Sequence, residues 1–167
     1  MRSKSGDGKL TLLHIDDSAD DRALVREAIT LSETPFEYHE ADGYDAALPY
    51  FQFHEPHGHP RPAMVLLDYQ MGGHSGLDFL YWLRLMKKIT SIPVVMFSGS
   101  PGAGHVGESY AAGANYFISK TGDLAHLTAI VRALHLSVVS PKKPGPILLL
   151  QEYQPDPRER PGKPKPA

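Results

Sequence analysis

Five short apolar runs, at residues 10–15, 36–41, 63–67, 92–97 and 115–119, alternate along this chain with stretches whose apolar residues recur every three or four positions. This alternation constrains the fold more than any single motif. Short runs with β-branched and aromatic character read as strands, and the three-and-four spacing reads as amphipathic helix. The last helical stretch is the clearest, because Leu124, Leu127, Val131, Leu134 and Val138 fall on one stripe. Ser18 is placed to cap the first helix and Gly113 to stop the fourth. The third is expected to start near Leu77 and to bury Leu77, Leu80 and Leu83. Strands and helices in this alternation predict an α/β fold, a doubly wound five-stranded parallel sheet with helices on both faces.

In such a sheet ligands bind beyond the carboxyl ends of the strands. The residues found there are Asp16 and Asp17 after the first strand, Asp68 after the third, Ser98 after the fourth and Lys120 after the fifth. Three nearby carboxylates repel and raise one another's pKa unless a cation intervenes. A hard, oxygen-seeking ion such as Mg²⁺ would relieve that repulsion while keeping several waters. Taken singly, each acid also reads as a helix cap that complements the dipole, and Asp17 or Ser18 suits that role. Capping alone does not explain why four strand ends carry polar groups able to act together.

Composition narrows the classes further. There are no cysteines, which excludes disulfides, thiolate zinc sites, iron–sulfur ligation and cysteine catalysis. No apolar run approaches the roughly 20 residues that span a bilayer, and the polar start leads into an apolar run too short for a signal peptide. A cytoplasmic protein with no membrane partner is expected. Eight of the 15 prolines lie in the last 27 residues, where missing amide protons and a fixed φ oppose regular structure. The chain therefore reads as a flexible N-terminus at 1–8, a folded body at 9–140 and a Pro-rich basic tail at 141–167. The tail carries +3 and residues 1–140 carry −5, a balance unlike that of a dedicated nucleic-acid binder. Residues Ile147 to Leu150 are too apolar for a plain linker and read as a patch that docks on the body or, as a dimerisation arm, on a second chain.

Two further motifs carry less. His54, His57 and His59 are close enough in sequence to suggest a transition-metal site, but the intervening prolines and glycine favour a surface loop. Gly102, Gly104 and Gly107 match G-x-G-x-x-G after a strand, yet the dinucleotide fingerprint belongs to the first strand–helix turn of its unit. The segment is expected to be a mobile loop beside Ser98.

The stretches L-L-H-I-D-D-S (12–18), M-V-L-L-D-Y-Q-M (64–71), I-P-V-V-M-F-S-G-S (92–100) and G-A-N-Y-F-I-S-K (113–120) resemble the response-regulator receiver domain, the CheY-like fold. The resemblance covers residues 10–139 and implies the flavodoxin-like strand order 2-1-3-4-5. It further implies that Asp68 is a nucleophile that accepts a phosphoryl group from a sensor histidine kinase or a small phosphodonor. On the same resemblance Asp17, Asp68 and the backbone carbonyl of Gln70 bind Mg²⁺ directly, and Asp16 acts through a bound water. Lys120 pairs first with Asp68 and then with a phosphoryl oxygen, Ser98 donates its hydroxyl to that group, and Phe117 is the aromatic switch that rotates inward. Gln70 and Ser100 occupy positions that influence how attacking water reaches the phosphoryl group. Thr121 replaces the usual proline after the lysine, and a cis bond there would cost about 2.5–4 kcal/mol, so a trans bond is expected. Gly72 and Gly73 replace the usual proline-containing turn after Asp68 and should loosen it.

The expected function is that of a single-domain response regulator, since no output domain fits in the 27 tail residues. It would signal by phosphorylation-dependent protein interaction, not as an enzyme. The stretch D-S-A-D-D-R-A-L-V-R-E-A-I (17–29) is similar to regulators that serve phytochrome-type histidine kinases, which implies a bacterial two-component partner and often a homodimer. Three alternatives stay open: a Mg²⁺-dependent phosphatase or phosphotransferase of haloacid-dehalogenase type, a nucleotide-binding module using the glycine loop, and an unphosphorylated receiver-like scaffold.

Overall fold

The computed structural model describes residues 9–52, 59–86, 91–99 and 102–140. Its strands are β1 (Leu10–Ile15), β2 (Phe36–Ala41), β3 (Met64–Asp68), β4 (Gln70–Met71), β5 (His74–Ser75), β6 (Val94–Ser98) and β7 (Tyr116–Ser119). Its helices are α1 (Ala19–Ser32), α2 (Tyr44–Ala47), α3 (Gly76–Leu85), α4 (Ala103–Ala111) and α5 (Leu124–Val139). Five strands form one sheet in the order β2-β1-β3-β6-β7, every pair parallel. Counted among themselves these strands run 2-1-3-4-5, the doubly wound order that was expected.

Period-2 alternation along the strands divides the core between the two faces. Leu12, Leu66, Val95, Phe97 and Ile118 pack with the apolar stripes of α1 and α5. Leu13, Ile15, Val65, Leu67, Val94, Met96 and Phe117 pack with α3 and with Val106 of α4. α1 begins at a Ser18 cap that accepts from the Asp21 amide, and α5 at an Asp123 cap that accepts from the Ala125 and His126 amides. Each cap satisfies amides that a helix start leaves without partners.

Several local expectations are corrected. The second helix is a single turn that passes into a 3₁₀ turn at Leu48–Phe51, because Pro49 lacks the amide proton an α-helix would need. α3 begins at Gly76 and buries Leu80 and Leu83 as expected, together with Phe79, but Leu77 is only partly covered. The third and fourth strands of the sheet run one residue further than expected, through Asp68 and Ser98. The glycine motif at 102–107 is not a loop, because Gly104 and Gly107 lie inside α4. Buried Val106, Ser109 and Ala112 hold that helix against the body, and such packing outweighs the intrinsic cost of about 1 kcal/mol per glycine. Gly72 and Gly73 form the turn of a small antiparallel β4–β5 hairpin, with Gly73 at φ +87°, rather than a loosened loop.

Gly76 is required by contact. A Cβ there would lie 2.0 Å from the Asp68 carbonyl oxygen, so the start of α3 can press on the end of β3 only as glycine. Gly113, at φ +100°, turns the chain from α4 into β7 as anticipated. Ser100, His54, His57 and residues 141–167, including Ile147 to Leu150, lie outside the described residues. His59 is described and stacks on Tyr50 at 4.2 Å between ring centroids.

Candidate functional site

The carboxyl ends of β1, β3, β6 and β7 lie along one edge of the sheet, and the topology brings their polar residues together there. Asp16 is fully buried, Asp68 nearly so and Asp17 exposed. One carboxylate oxygen from each lies within 4.8 Å of the others. Across from them, Lys120 Nζ sits 2.8 Å from Asp16 Oδ2, 2.7 Å from Asp21 Oδ2 and 3.2 Å from Asp68 Oδ1. The expected pairing of Lys120 with Asp68 is therefore present, but it is the longest of three. Ser98 is buried at the end of β6, and its carbonyl accepts the Lys120 amide at 2.8 Å, which fixes the height of the lysine above the sheet. The Lys120–Thr121 peptide bond is trans, as expected.

The electrostatics follow from crowding. Burial and the adjacent Asp16 charge push the Asp68 carboxyl up to about 6, an increase that Lys120 and the Gln70 amide only partly offset. Burial would raise Asp16 as well, but His14, Lys120 and the Ser18 amide outweigh it and hold the group below the usual carboxylate range. Lys120 moves the opposite way from a buried amine: burial would lower it, yet Asp16, Asp21 and Asp68 push it above the ordinary lysine value. It is a fixed cation serving three acids.

The donor set suits a hard cation. It is all oxygen, its members are mutually repelling, and Asp16 Oδ2 is buried with no partner in hydrogen-bond geometry. Lys120 Nζ approaches that oxygen at 2.8 Å as an ion pair. Asp17 Oδ2 accepts the Gly72 amide at 2.8 Å, so the β4–β5 hairpin is clasped to the acid pair. An open cleft beside the cluster is lined by Asp17, Tyr69, Gln70, Gly72, His74 and Ser75. Gln70, expected to contribute its carbonyl, thus borders the site.

Phe117 is buried in the core beside Val94, Met96 and Val106; it already occupies a packed position. Sequence reasoning missed Asp21, which sits in the first turn of α1, 99 positions from Lys120. It also missed Tyr69, whose ring stacks on His105 at 4.2 Å and whose hydroxyl donates to Glu108 Oε2 at 2.7 Å. This links the residue after Asp68 to α4. Burial and the Glu108 contact push the Tyr69 phenol up to about 12, so the hydroxyl remains a donor.

The fold and this cluster define a doubly wound module with a carboxylate pocket and one invariantly charged lysine, the architecture of phosphoacceptor signalling proteins rather than of classical enzymes. Residues 12–132 match the family described as response regulator receiver domain, and the chain belongs to that family. Among curated proteins it is 29% identical over 140 residues to the phosphate regulon transcriptional regulatory protein PhoB of Escherichia coli (strain K12), covering 83% of this chain and 58% of that protein. It is 28% identical over 135 residues to response regulator Rcp1 of Synechocystis sp., covering 80% and 91%. The chain thus spans little more than half the length of PhoB. A structure of the phosphorylated cyanobacterial phytochrome response regulator RcpA superposes with a TM-score of 0.71 at 24% identity, over 82% of this chain and 99% of that one. Among the described residues no helix is long and apolar enough to cross a membrane.

Proposed function

We propose that this chain is a single-domain response regulator that accepts a phosphoryl group on Asp68 from a sensor histidine kinase. One observation carries the reading: the end of β3 presents a single nearly buried carboxylate, flanked by two further acids and touched by Lys120. Asp68 attacks phosphorus, the bond from phosphorus to the donor's nitrogen or oxygen breaks, and an acyl phosphate forms on the carboxylate. Transfer of this kind depends on positioning and charge neutralisation more than on proton chemistry. Lys120 is already charged and 3.2 Å from Asp68, so it can follow the developing phosphoryl charge without crossing the site. The Ser98 hydroxyl would donate to another phosphoryl oxygen. Mg²⁺, held by Asp17, Asp68 and the Gln70 carbonyl with Asp16 acting through water, would neutralise the phosphoryl oxygens. Phe117 would report the change by leaving or adjusting its packing against α4.

The likeness to Rcp1 and to the phytochrome regulator RcpA supports a cytoplasmic bacterial two-component setting, with a phytochrome-type kinase as donor and a protein as the target. A homodimer built on the tail patch at 147–150 belongs to the same proposal. Intact mass after incubation with acetyl phosphate tests the core of it. Wild type should gain one phosphoryl group only with Mg²⁺, and Asp68→Asn should gain none. A wild type that stays unmodified with every small donor and with a phosphorylated kinase would leave a receiver-like scaffold.

A further inference from the structure

His14 lies on β1, and the strand period puts Leu12, His14 and Asp16 on one face. The residue is fully buried, where a β-branched apolar side chain would fit the strand at no polar cost. Its ring stands edge-on to Phe97 at 6.0 Å, and Nδ1 lies 2.9 Å from the Tyr38 hydroxyl. Nε2 lies 3.4 Å from Asp16 Oδ2. These two neighbouring atoms are the only buried side-chain polar atoms among the described residues without a partner in hydrogen-bond geometry.

We propose that His14 is a positioning residue for the cation site: it holds the Asp16 carboxylate from behind, so that the acid keeps its orientation when Lys120 turns to a phosphoryl group. The inference rests on the reading of the site given above. Asp16 is anchored at its other atoms, since Oδ1 accepts the Ser18 amide at 2.8 Å and the backbone carbonyl accepts the Arg22 guanidinium at 2.6 Å. Oδ2 is met by Lys120 at 2.8 Å, a cation it shares with two other acids, and by the His14 ring. Lys120 divides itself among three acids, and its withdrawal leaves the His14 ring as the remaining polar neighbour of that oxygen. A carboxylate only accepts, so the proton that answers it sits on Nε2. With that proton on Nε2 the neutral ring accepts at Nδ1, and the Tyr38 hydroxyl 2.9 Å away fixes it from the opposite side by donating there in preference to the Arg22 carbonyl at 3.2 Å. Burial and the neighbouring Glu40 push the Tyr38 phenol above its ordinary range, so this support persists as a neutral hydroxyl. Outer partners that orient a ligand in this way are commonly worth about 10–100-fold in metal affinity.

The test is calorimetric titration of the full chain with Mg²⁺ and Mn²⁺, with thermal unfolding in chelator as the check on folding. His14→Val should bind about tenfold more weakly. His14→Gln, whose amide can donate at the same depth, should recover most of that loss, and Tyr38→Phe should fall between Val and wild type. On an Asp16→Asn background the His14→Val substitution should cost nothing more, because the group it positions is gone. Wild-type affinity in His14→Val, no recovery in His14→Gln, or an undiminished loss on the Asp16→Asn background would overturn the role. Should His14→Val not fold, Tyr38→Phe carries the same comparison. A wild type that takes up neither ion removes the cation site itself, an outcome distinct from failure at His14.

Discussion

On one face of the sheet α1 and α5 run 14 and 16 residues, each started by a side-chain cap. On the other, α3 runs 10 residues from a Ser75–Asp78 capping box, α2 only four, and α4 nine from a glycine with no side chain to offer. Both faces carry cross-ties, and on the α3 side Arg84 donates to the carbonyls of Gly113 and Ile92 and to Asn115 Oδ1. Arg132 reaches from α5 to the carbonyls of Ser32 and Leu31, closing the end of an α1 that has no basic residue in its last turn. α4 is tied to the β3 end mainly through Tyr69, by the Glu108 hydrogen bond and the His105 stack. Asp16, Asp17 and Asp21 therefore sit beside the long, capped α1, while Ser98 and Tyr69 look toward α4, the lightly held helix on the far face. A phosphoryl group on Asp68, as proposed, would have the acids at the start of α1 on one side and the lightly held α4 on the other.

The largest expected contrast is in global stability. Leu134 on α5 is 1% exposed and Val106 on α4 is 3% exposed. Leu134→Ala should cost about 2–5 kcal/mol in urea unfolding, since it leaves a cavity between α1, α5 and the sheet. Val106→Ala, which removes two methyl groups, should cost about half as much. Equal costs, despite the smaller side chain removed at Val106, would mean that α4 is seated as firmly as α5.

Asp68→Asn comes next and acts at the junction of the two halves. Because the folded-state value near 6 lies above the ordinary 3.8, folding favours the protonated carboxyl. Its stabilising share is complete below about pH 4 and is lost as pH rises through 6. Asparagine keeps the neutral form throughout, so in metal-free buffer the variant should be more stable than wild type by about 1–3 kcal/mol at pH 8. The gain should shrink toward pH 4, and also when Mg²⁺ is added to wild type. A gain that ignored pH would mean that carboxylate crowding is not its source.

Tyr69→Phe probes the tie itself. It keeps the ring stacked on His105 and removes only the donation to Glu108, worth about 0.5–1.5 kcal/mol. Amide exchange in α4 should speed up several-fold while that of α1 stays unchanged. Acceleration in both helices would show that Tyr69 supports the whole core and is not a local latch.

How much of this was legible depends on the distance over which each effect acts. All five runs become strands of the sheet; burial on both faces demands the unbroken apolar stretches of β3 and β6, whereas the edge strand β2 keeps Glu37, His39 and Glu40 half-buried. The residues just past them, Asp16, Asp17, Asp68, Ser98 and Lys120, converge because parallel topology sends every strand end to the same edge. Asp21 was not legible, since nothing local distinguishes a first-turn acid that completes a cap from one that meets a lysine 99 positions away. The signal for His14 was present but unread: an imidazole two residues before Asp16 must share its face. α4 was misjudged because glycine content weighs on local propensity, whereas the helix is settled by Val106, Ser109 and Ala112 on its buried side.

Those glycines offer the smallest and most pointed test of the contrast. A Cβ at Gly104 or at Gly107 would meet nothing within 4 Å, so neither residue is there for close approach, and the dinucleotide fingerprint has no support in how they pack. Each costs α4 about 0.5–1 kcal/mol relative to alanine. Gly104→Ala and Gly107→Ala should therefore slow amide exchange in α4 a few-fold and raise thermal stability slightly. Phosphorylation of Asp68 by acetyl phosphate then decides what the weakness is for. If α4 must loosen for the site to respond, the double variant should phosphorylate more slowly, or phosphorylate without the exchange change in α4 seen in wild type. Unaltered kinetics and an unaltered response in the stiffened helix would show that α4 is lightly held without being the moving part.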